Sequence, residues 1–174
     1  MAKTAGNITF ALAGYGRFGR HHANVLSNHP SAQLKAIAEP NQVAAEQARK
    51  AYPEAVIFDN PFRMLAEMEV DAVSIVSTEE THAGIVRKAL ENKTHVFCEK
   101  PLSTRLDEAR ELVELAHQRN IQLRLGYILR YEPRHRVLQE QVQSGRLGKL
   151  AVIRAKRDAS RSWFEAYGHR VHPV

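Results

Sequence analysis

Short apolar runs alternate with stretches of helical spacing along most of this chain. Ile8 to Ala13, Leu34 to Ala38, Val56 to Phe58, Ala72 to Val76, His95 to Cys98 and Gln122 to Leu125 are each strand-length and bounded by polar or turn residues. Between them, apolar residues recur every three to four positions. Ile85, Ala89 and Leu90 share a face after Thr81, and Leu106, Ala109, Leu112, Val113 and Ala116 share one after Thr104. Strand then helix, repeated, predicts a parallel sheet covered on both sides. Right-handed crossovers make such a sheet doubly wound, so the fold class is α/β.

The pattern changes after Tyr127. Glu132 to Gln143 reads as a helix carrying Val137, Leu138 and Val142, and Gly145 and Gly148 bracket a turn. Leu150 to Lys156 then alternates like the first strand of a second, antiparallel sheet. The expected division is one domain over residues 1–126 and the start of a second, α+β domain over 127–174.

The first strand runs into Gly14-Tyr15-Gly16-Arg17-Phe18-Gly19, a G-x-G-x-x-G pattern. Alone the pattern is weak. After an apolar strand and before a helical segment, Phe18 to Leu26, it reads as the phosphate loop of a Rossmann dinucleotide site. Gly14 permits the tight turn, Gly16 lets the backbone approach a pyrophosphate, and Gly19 lets the helix pack on the strand. The helix N-terminus offers N–H groups and a positive dipole end to the phosphates. Arg17 adds charge at the rim, and Phe18 lies in the same turn.

Glu39 ends the second strand, twenty residues beyond Gly19. That is where a carboxylate holds the ribose hydroxyls of the adenosine half, and it would repel a 2′-phosphate. Pro40 and Asn41 follow, with no arginine to favour such a phosphate, so NAD is expected ahead of NADP. The plainer alternative is a strand-end carboxylate facing water; the spacing favours the ribose.

Composition narrows the function class. The 174 residues suffice for one well-packed domain and a short remainder. No apolar run approaches the roughly 20 residues of a membrane helix. The short polar start followed by Ile8 to Ala13 reads as the entry to a strand and not as a signal sequence. Cys98 is the single cysteine, which leaves no internal disulfide and no cysteine-based metal site; a cytoplasmic location is the simple reading. Lys and Arg number 25 against 19 Asp and Glu, a net charge of +6. These charges are spread along the chain without a recognition motif. They point to an anionic small molecule and not to nucleic acid.

His95-Val96-Phe97-Cys98-Glu99-Lys100-Pro101 places a lysine at the carboxyl end of a parallel strand, where ligands bind in such sheets. A lysine desolvated over a nicotinamide can serve as acid or base; a lone strand-end lysine is otherwise a surface charge.

Together these elements resemble the glucose–fructose oxidoreductase / inositol dehydrogenase / MocA family of NAD(P)-dependent oxidoreductases. The resemblance rests on Ala13 to His22, on Val70 to Val76 followed by Thr81-His82, on Glu99-Lys100-Pro101-Leu102, on Gly126 to Pro133 and on Ser144 to Lys149. It runs almost from end to end of the chain. It implies a dehydrogenase acting on a sugar, inositol or related polyol, working as a homo-oligomer in its full-length form.

It also implies residue roles. Ser77 and Thr78 would line the nicotinamide side, Glu99 would contact the nicotinamide ribose region, and Lys100 would touch the substrate hydroxyl in the catalytic proton relay. Pro101 follows a cis bond in some relatives. Arg130 and Tyr131 would sit near the nicotinamide and the substrate entrance. His82 is either a cofactor-site residue or a helix-start histidine bonding locally, and His21 and His22 read as packing or surface residues. Trp163, Phe164 and Tyr167 read as contacts of the second domain, with substrate-side aromatics as the alternative.

Family members are roughly twice this length. Their catalytic histidine stands in a His-Asp motif of the second domain. No His-Asp pair occurs here, and His169 and His172 look like the approach to it. The expectation is a chain that binds cofactor and stops short of the full catalytic set. A non-catalytic NAD-binding or regulatory protein of the same fold is the alternative.

Overall fold

Each of the six apolar runs forms a strand. A computed structural model of the chain describes residues 7–156, Asp158 and Arg161. Trp163, Phe164, Tyr167, His169 and His172 therefore lie outside the described residues. The strands are β1 (Ile8–Ala13), β2 (Ala32–Ala38), β3 (Val56–Phe58), β4 (Ala72–Ile75), β5 (His95–Cys98) and β6 (Leu123–Leu125). They form one parallel sheet in the order β3-β2-β1-β4-β5-β6. The winding reverses between β1 and β4. In open sheets of this kind, ligands bind beyond the carboxyl ends of the strands at that point.

The side chains of β1 alternate between two cores. Ala11 and Ala13 join one cluster with Val73, Ile75, Ile85, Leu90 and Leu112. Leu12 joins a second cluster with Tyr15, Ala23, Ile37 and Ala48. Helices α3 (Pro61–Glu67), α4 (Glu79–Glu91) and α5 (Leu106–Gln118) supply the first cluster, and α1 (Arg17–Asn28) and α2 (Gln42–Ala51) the second. Leu12, Ile37, Ile85, Leu90 and Leu112 are fully buried, each stabilising the fold by about 1.5–3 kcal/mol relative to exposure.

The starts of the helices divide into two kinds. Asn41 caps α2 by accepting from the Ala44 N–H, and Asn60 caps α3 by accepting from the N–H groups of Phe62 and Arg63, with Pro61 at the first helical position. Helices α1, α4 and α5 have no side-chain cap; they begin after Gly16, Thr78 and Arg105. These three follow β1, β4 and β5, so their first turns face the carboxyl edge of the central strands.

Two expectations need correction. Leu106 and Val113 share a sequence face with Leu112, yet they are exposed while Leu112 and Ala116 are buried. The apolar stripe of α5 is wider than the surface it covers. The second concerns Leu150 to Lys156, which carries no strand. Among the described residues it has no pairing partner for its N–H and C=O groups, and Val152 and Ile153 stand exposed.

The chain divides into two compact units, Met1–Ile128 and Leu129–Val174. In the second, α6 (Pro133–Gln143) forms as expected, capped by Glu132, whose carboxylate accepts from the His135 N–H. Val137 and Leu138 are exposed on it. No helix among the described residues is long and apolar enough to cross a membrane.

Candidate dinucleotide site

The turn after β1 is fixed by its glycines, each for a different reason. Gly14 has φ +98°, and a Cβ there would lie 2.7 Å from the Val76 carbonyl oxygen of the neighbouring turn. A Cβ on Gly19 would run into the Gly14 carbonyl, so α1 can start this close to β1 only with glycine. Gly16 is the opposite case: a Cβ would meet nothing within 4 Å. The loop is thus crowded from below and open at Gly16. The first turn of α1 presents backbone N–H groups beside that opening. Arg17 and Phe18, both exposed, flank it.

Glu39 closes the far side. Its side chain is buried, with Oε2 accepting from the Tyr15 N–H at 2.7 Å and Oε1 from the Asn41 N–H at 2.9 Å. Each oxygen keeps a second lone pair for a further donor. Beyond it lies a cavity of about 400 Å³ lined by Glu39, Pro40, Ala45, Ile57, Phe58 and Arg63. The Arg63 guanidinium stands over the Phe58 ring at 5.6 Å. Gln42, Glu46, Arg49 and Asp59 complete the lining, so the cavity is of mixed polar and apolar character, with the Glu39 carboxylate placed to accept from ribose hydroxyls.

The other side of the crevice is built by the turns after β4 and β5. Ser77 is half-buried and Thr78 exposed at the start of α4, and the Thr81 hydroxyl lies 2.7 Å from Ser77 Oγ. The Lys100–Pro101 bond is cis. Lys100 is exposed, and Leu102 after it is buried. An apolar cavity of about 400 Å³ borders this turn, lined by Pro101, Leu102, Ala109, Val113, Leu125 and Tyr127.

Glu99 points inward. Its carboxyl packs so closely on Gly126 that a Cβ there would collide with Oε1. Burial pushes its pKa up, against the lowering effects of the Lys100 N–H and charge and of His82. His22 of α1 stands beside it. Nδ1 lies 2.9 Å from Ser74 Oγ, and Nε2 lies 3.6 Å from Glu99 Oε1. Burial, then the neighbouring His21, pushes the His22 pKa down. The 3.6 Å separation is that of an ion pair, but burial drives both groups toward their neutral forms. Cys98, fully buried next door, remains a thiol: burial and then Glu99 push its pKa up to about 12.

The structure thus gathers Gly14, Gly16, Arg17, Phe18, Gly19, Glu39, Ser77, Thr78, Glu99, Lys100 and Pro101 at one edge of the sheet. His82 and Arg130 have other surroundings. His82 is buried, with both ring nitrogens on protein carbonyls, because it sits in the first turns of α4 with its side chain directed inward. That places it behind the crevice and not on its wall. Arg130 lies exposed in a 3₁₀ turn, Ile128–Tyr131, and belongs to the second unit. His22 and Ser74 are site neighbours that the sequence does not reveal; no local spacing joins a helix residue to a strand two crossovers away. No group of three or more potential metal ligands occurs among the described residues.

Sheet order, glycine loop and strand-end carboxylate define a dinucleotide-binding α/β protein. The chain belongs to the oxidoreductase family with an NAD-binding Rossmann fold, whose pattern matches residues 8–127.

Two relatives are informative. The scyllo-inositol 2-dehydrogenase (NAD(+)) of Bacillus subtilis is 30% identical over 143 residues, covering 82% of this chain and 42% of the relative. The inositol 2-dehydrogenase of Rubrobacter xylanophilus is 34% identical over 150 residues, covering 84% and 43%. Among solved structures, scyllo-inositol dehydrogenase from Lactobacillus casei with bound NAD(H) and scyllo-inositol superposes with a TM-score of 0.77 at 26% identity, covering 82% of this chain and 43% of that one. The chain spans less than half the length of these relatives.

Proposed function

We propose that this chain is the cofactor-binding part of an NAD-dependent dehydrogenase acting on a sugar, inositol or related polyol. The observation that carries this reading is the pairing of an open, glycine-walled loop at Gly16 with the buried Glu39 carboxylate at the mouth of the adjoining cavity. The loop N–H groups and the start of α1 hold the pyrophosphate, with Arg17 and Phe18 at its rim. Glu39 accepts from the adenosine ribose hydroxyls and disfavours a 2′-phosphate, so NAD is preferred to NADP. Ser77, Thr78, Glu99 and Pro101 border the nicotinamide half. Bound there, NAD would supply the hydride acceptor for the carbon that carries the substrate hydroxyl. Lys100 contacts that hydroxyl and belongs to the path that takes its proton.

The named relatives support the polyol class, because each is described as an inositol dehydrogenase. The full-length form works in the cytoplasm as a homo-oligomer, on a small molecule and not on nucleic acid or membrane. Within these 174 residues the proton-transfer set is incomplete, since Lys100 is present and no His-Asp pair is. The test is NADH absorbance during incubation with NAD and a panel of inositols, sugars and amino sugars. The expected result is cofactor binding with weak or no turnover, any turnover being lost in Lys100→Ala. Rapid polyol oxidation that survives Lys100→Ala overturns these residue roles.

A further inference from the structure

We infer that His82 is a positioning residue that ties the turn after β4 to the turn after β5 and so sets the shape of the nicotinamide half of the crevice. Its Nδ1 lies 2.7 Å from the Pro101 carbonyl oxygen, and its Nε2 lies 3.1 Å from the Ser77 carbonyl oxygen. The ring is 2% exposed. Strands β4 and β5 pair in register only as far as Ile75 and Cys98, and the Glu99 N–H still reaches the Ile75 carbonyl. Beyond that bond the two turns leave the sheet on their way to α4 and α5, and the imidazole spans them.

The reach follows from the helix. His82 is the fourth residue of α4, and helical side chains lean toward the N-terminus. One ring nitrogen therefore returns to Ser77, just before the helix, while the other meets the neighbouring turn. Both partners are carbonyls and only accept. A neutral imidazole donates to one of the two carbonyls and packs its other nitrogen against the second, whereas an imidazolium donates to both; in either form the ring supplies a donor that an apolar side chain lacks. Ser77 and Pro101 flank Lys100 and the nicotinamide half in the function proposed above, on which this inference rests. The adenosine half is built by Gly14, Gly16, Gly19 and Glu39, of which only Gly14 packs on the Val76–Ser77 turn, and His82 hydrogen-bonds to none of them.

That separation supplies the test. ADP occupies the adenosine and pyrophosphate half, whereas NADH occupies both halves. Both are titrated calorimetrically into the wild-type chain and into His82→Ala, His82→Asn and His82→Gln. Asparagine places an amide donor near the Nδ1 position and glutamine near Nε2, so each keeps one tie and remains informative if the alanine variant does not fold. The expected result is NADH affinity lowered about tenfold in His82→Ala, with ADP affinity within about twofold of wild type. The asparagine and glutamine variants fall between. Equal loss for ADP and NADH would show a general loosening of the domain and overturn the inference, as would no loss for either. A wild-type chain that binds neither ligand overturns the dinucleotide reading itself, and the inference with it. When the wild-type chain binds both, a loss confined to NADH is assigned to the tie that His82 makes.

Discussion

The Glu39 carboxylate and the Tyr15 N–H are 2.7 Å apart, which joins the end of β2 to the middle of the glycine loop. The bond is buried and charge-assisted, and the second oxygen takes the Asn41 N–H. One side chain therefore shapes the loop and presents acceptors to the cavity beyond it. Glu39→Ala leaves two backbone donors without this acceptor, at a cost of about 1–3 kcal/mol each where they are buried. Glu39→Gln keeps one acceptor oxygen and removes the charge. We expect the alanine variant to unfold at lower urea concentration. We expect the glutamine variant to stay closer to wild type while its preference for NADH over NADPH narrows. Urea denaturation and paired fluorescence titrations measure the two effects.

The three loop glycines separate folding from binding. Gly14→Ala forces a side chain into a left-handed φ and against the Val76 carbonyl, and Gly19→Ala drives one into the Gly14 carbonyl. Both variants should lower thermal stability by several degrees. Gly16→Ala adds a methyl group to open space, so its stability should stay near wild type while NADH affinity falls. Thermal melts with and without NADH distinguish the cases. A Gly16→Ala variant that binds normally would remove the pyrophosphate from that opening.

His22 and Glu99 give opposite pH dependences. The folded His22 pKa is lowered, so the native state takes up a proton less readily than the unfolded chain. Its contribution is fully present above the ordinary histidine range and is lost as pH falls through it. The folded Glu99 pKa is raised, so its contribution is fully present below the ordinary carboxylate range and declines as pH rises toward the raised value. His22→Asn, which retains a polar group toward Ser74, should therefore gain stability relative to wild type as pH falls from about 7 to about 5. Glu99→Gln should gain relative stability as pH rises from about 4.5 toward neutrality. Urea midpoints across this range provide the check, and parallel profiles would contradict it.

Neighbouring positions on α5 should behave differently. Leu112 is fully buried, so Leu112→Ala should cost about 2–5 kcal/mol. Val113 is 55% exposed, and Val113→Ala should stay within about 0.5 kcal/mol. Chemical denaturation of the two variants measures both.

Much of the cofactor domain is legible in the sequence because its central strands are buried on both faces near their carboxyl ends, which leaves compact apolar runs such as Ala72 to Ile75. The glycine loop and Glu39 are legible because one turn and one strand separation fix their spacing. Leu150 to Lys156 misleads because alternation alone does not supply a pairing strand. The His22 contacts are illegible for another reason: they cross from α1 to β4 and to the end of β5, and only sheet order brings those elements together. His82 is visible as a residue near a helix start, but its bridge to Pro101 depends on how β4 and β5 pair.

An NAD site in which Glu39 selects the ribose makes a demand that binding alone can check. Wild-type chain is titrated calorimetrically with NAD and with NADP, and both titrations are repeated on Glu39→Ala. The expected result is saturable NAD binding, weaker NADP binding, and loss of that discrimination in the variant. No NAD binding, or tighter binding of NADP by the wild-type chain, would contradict it.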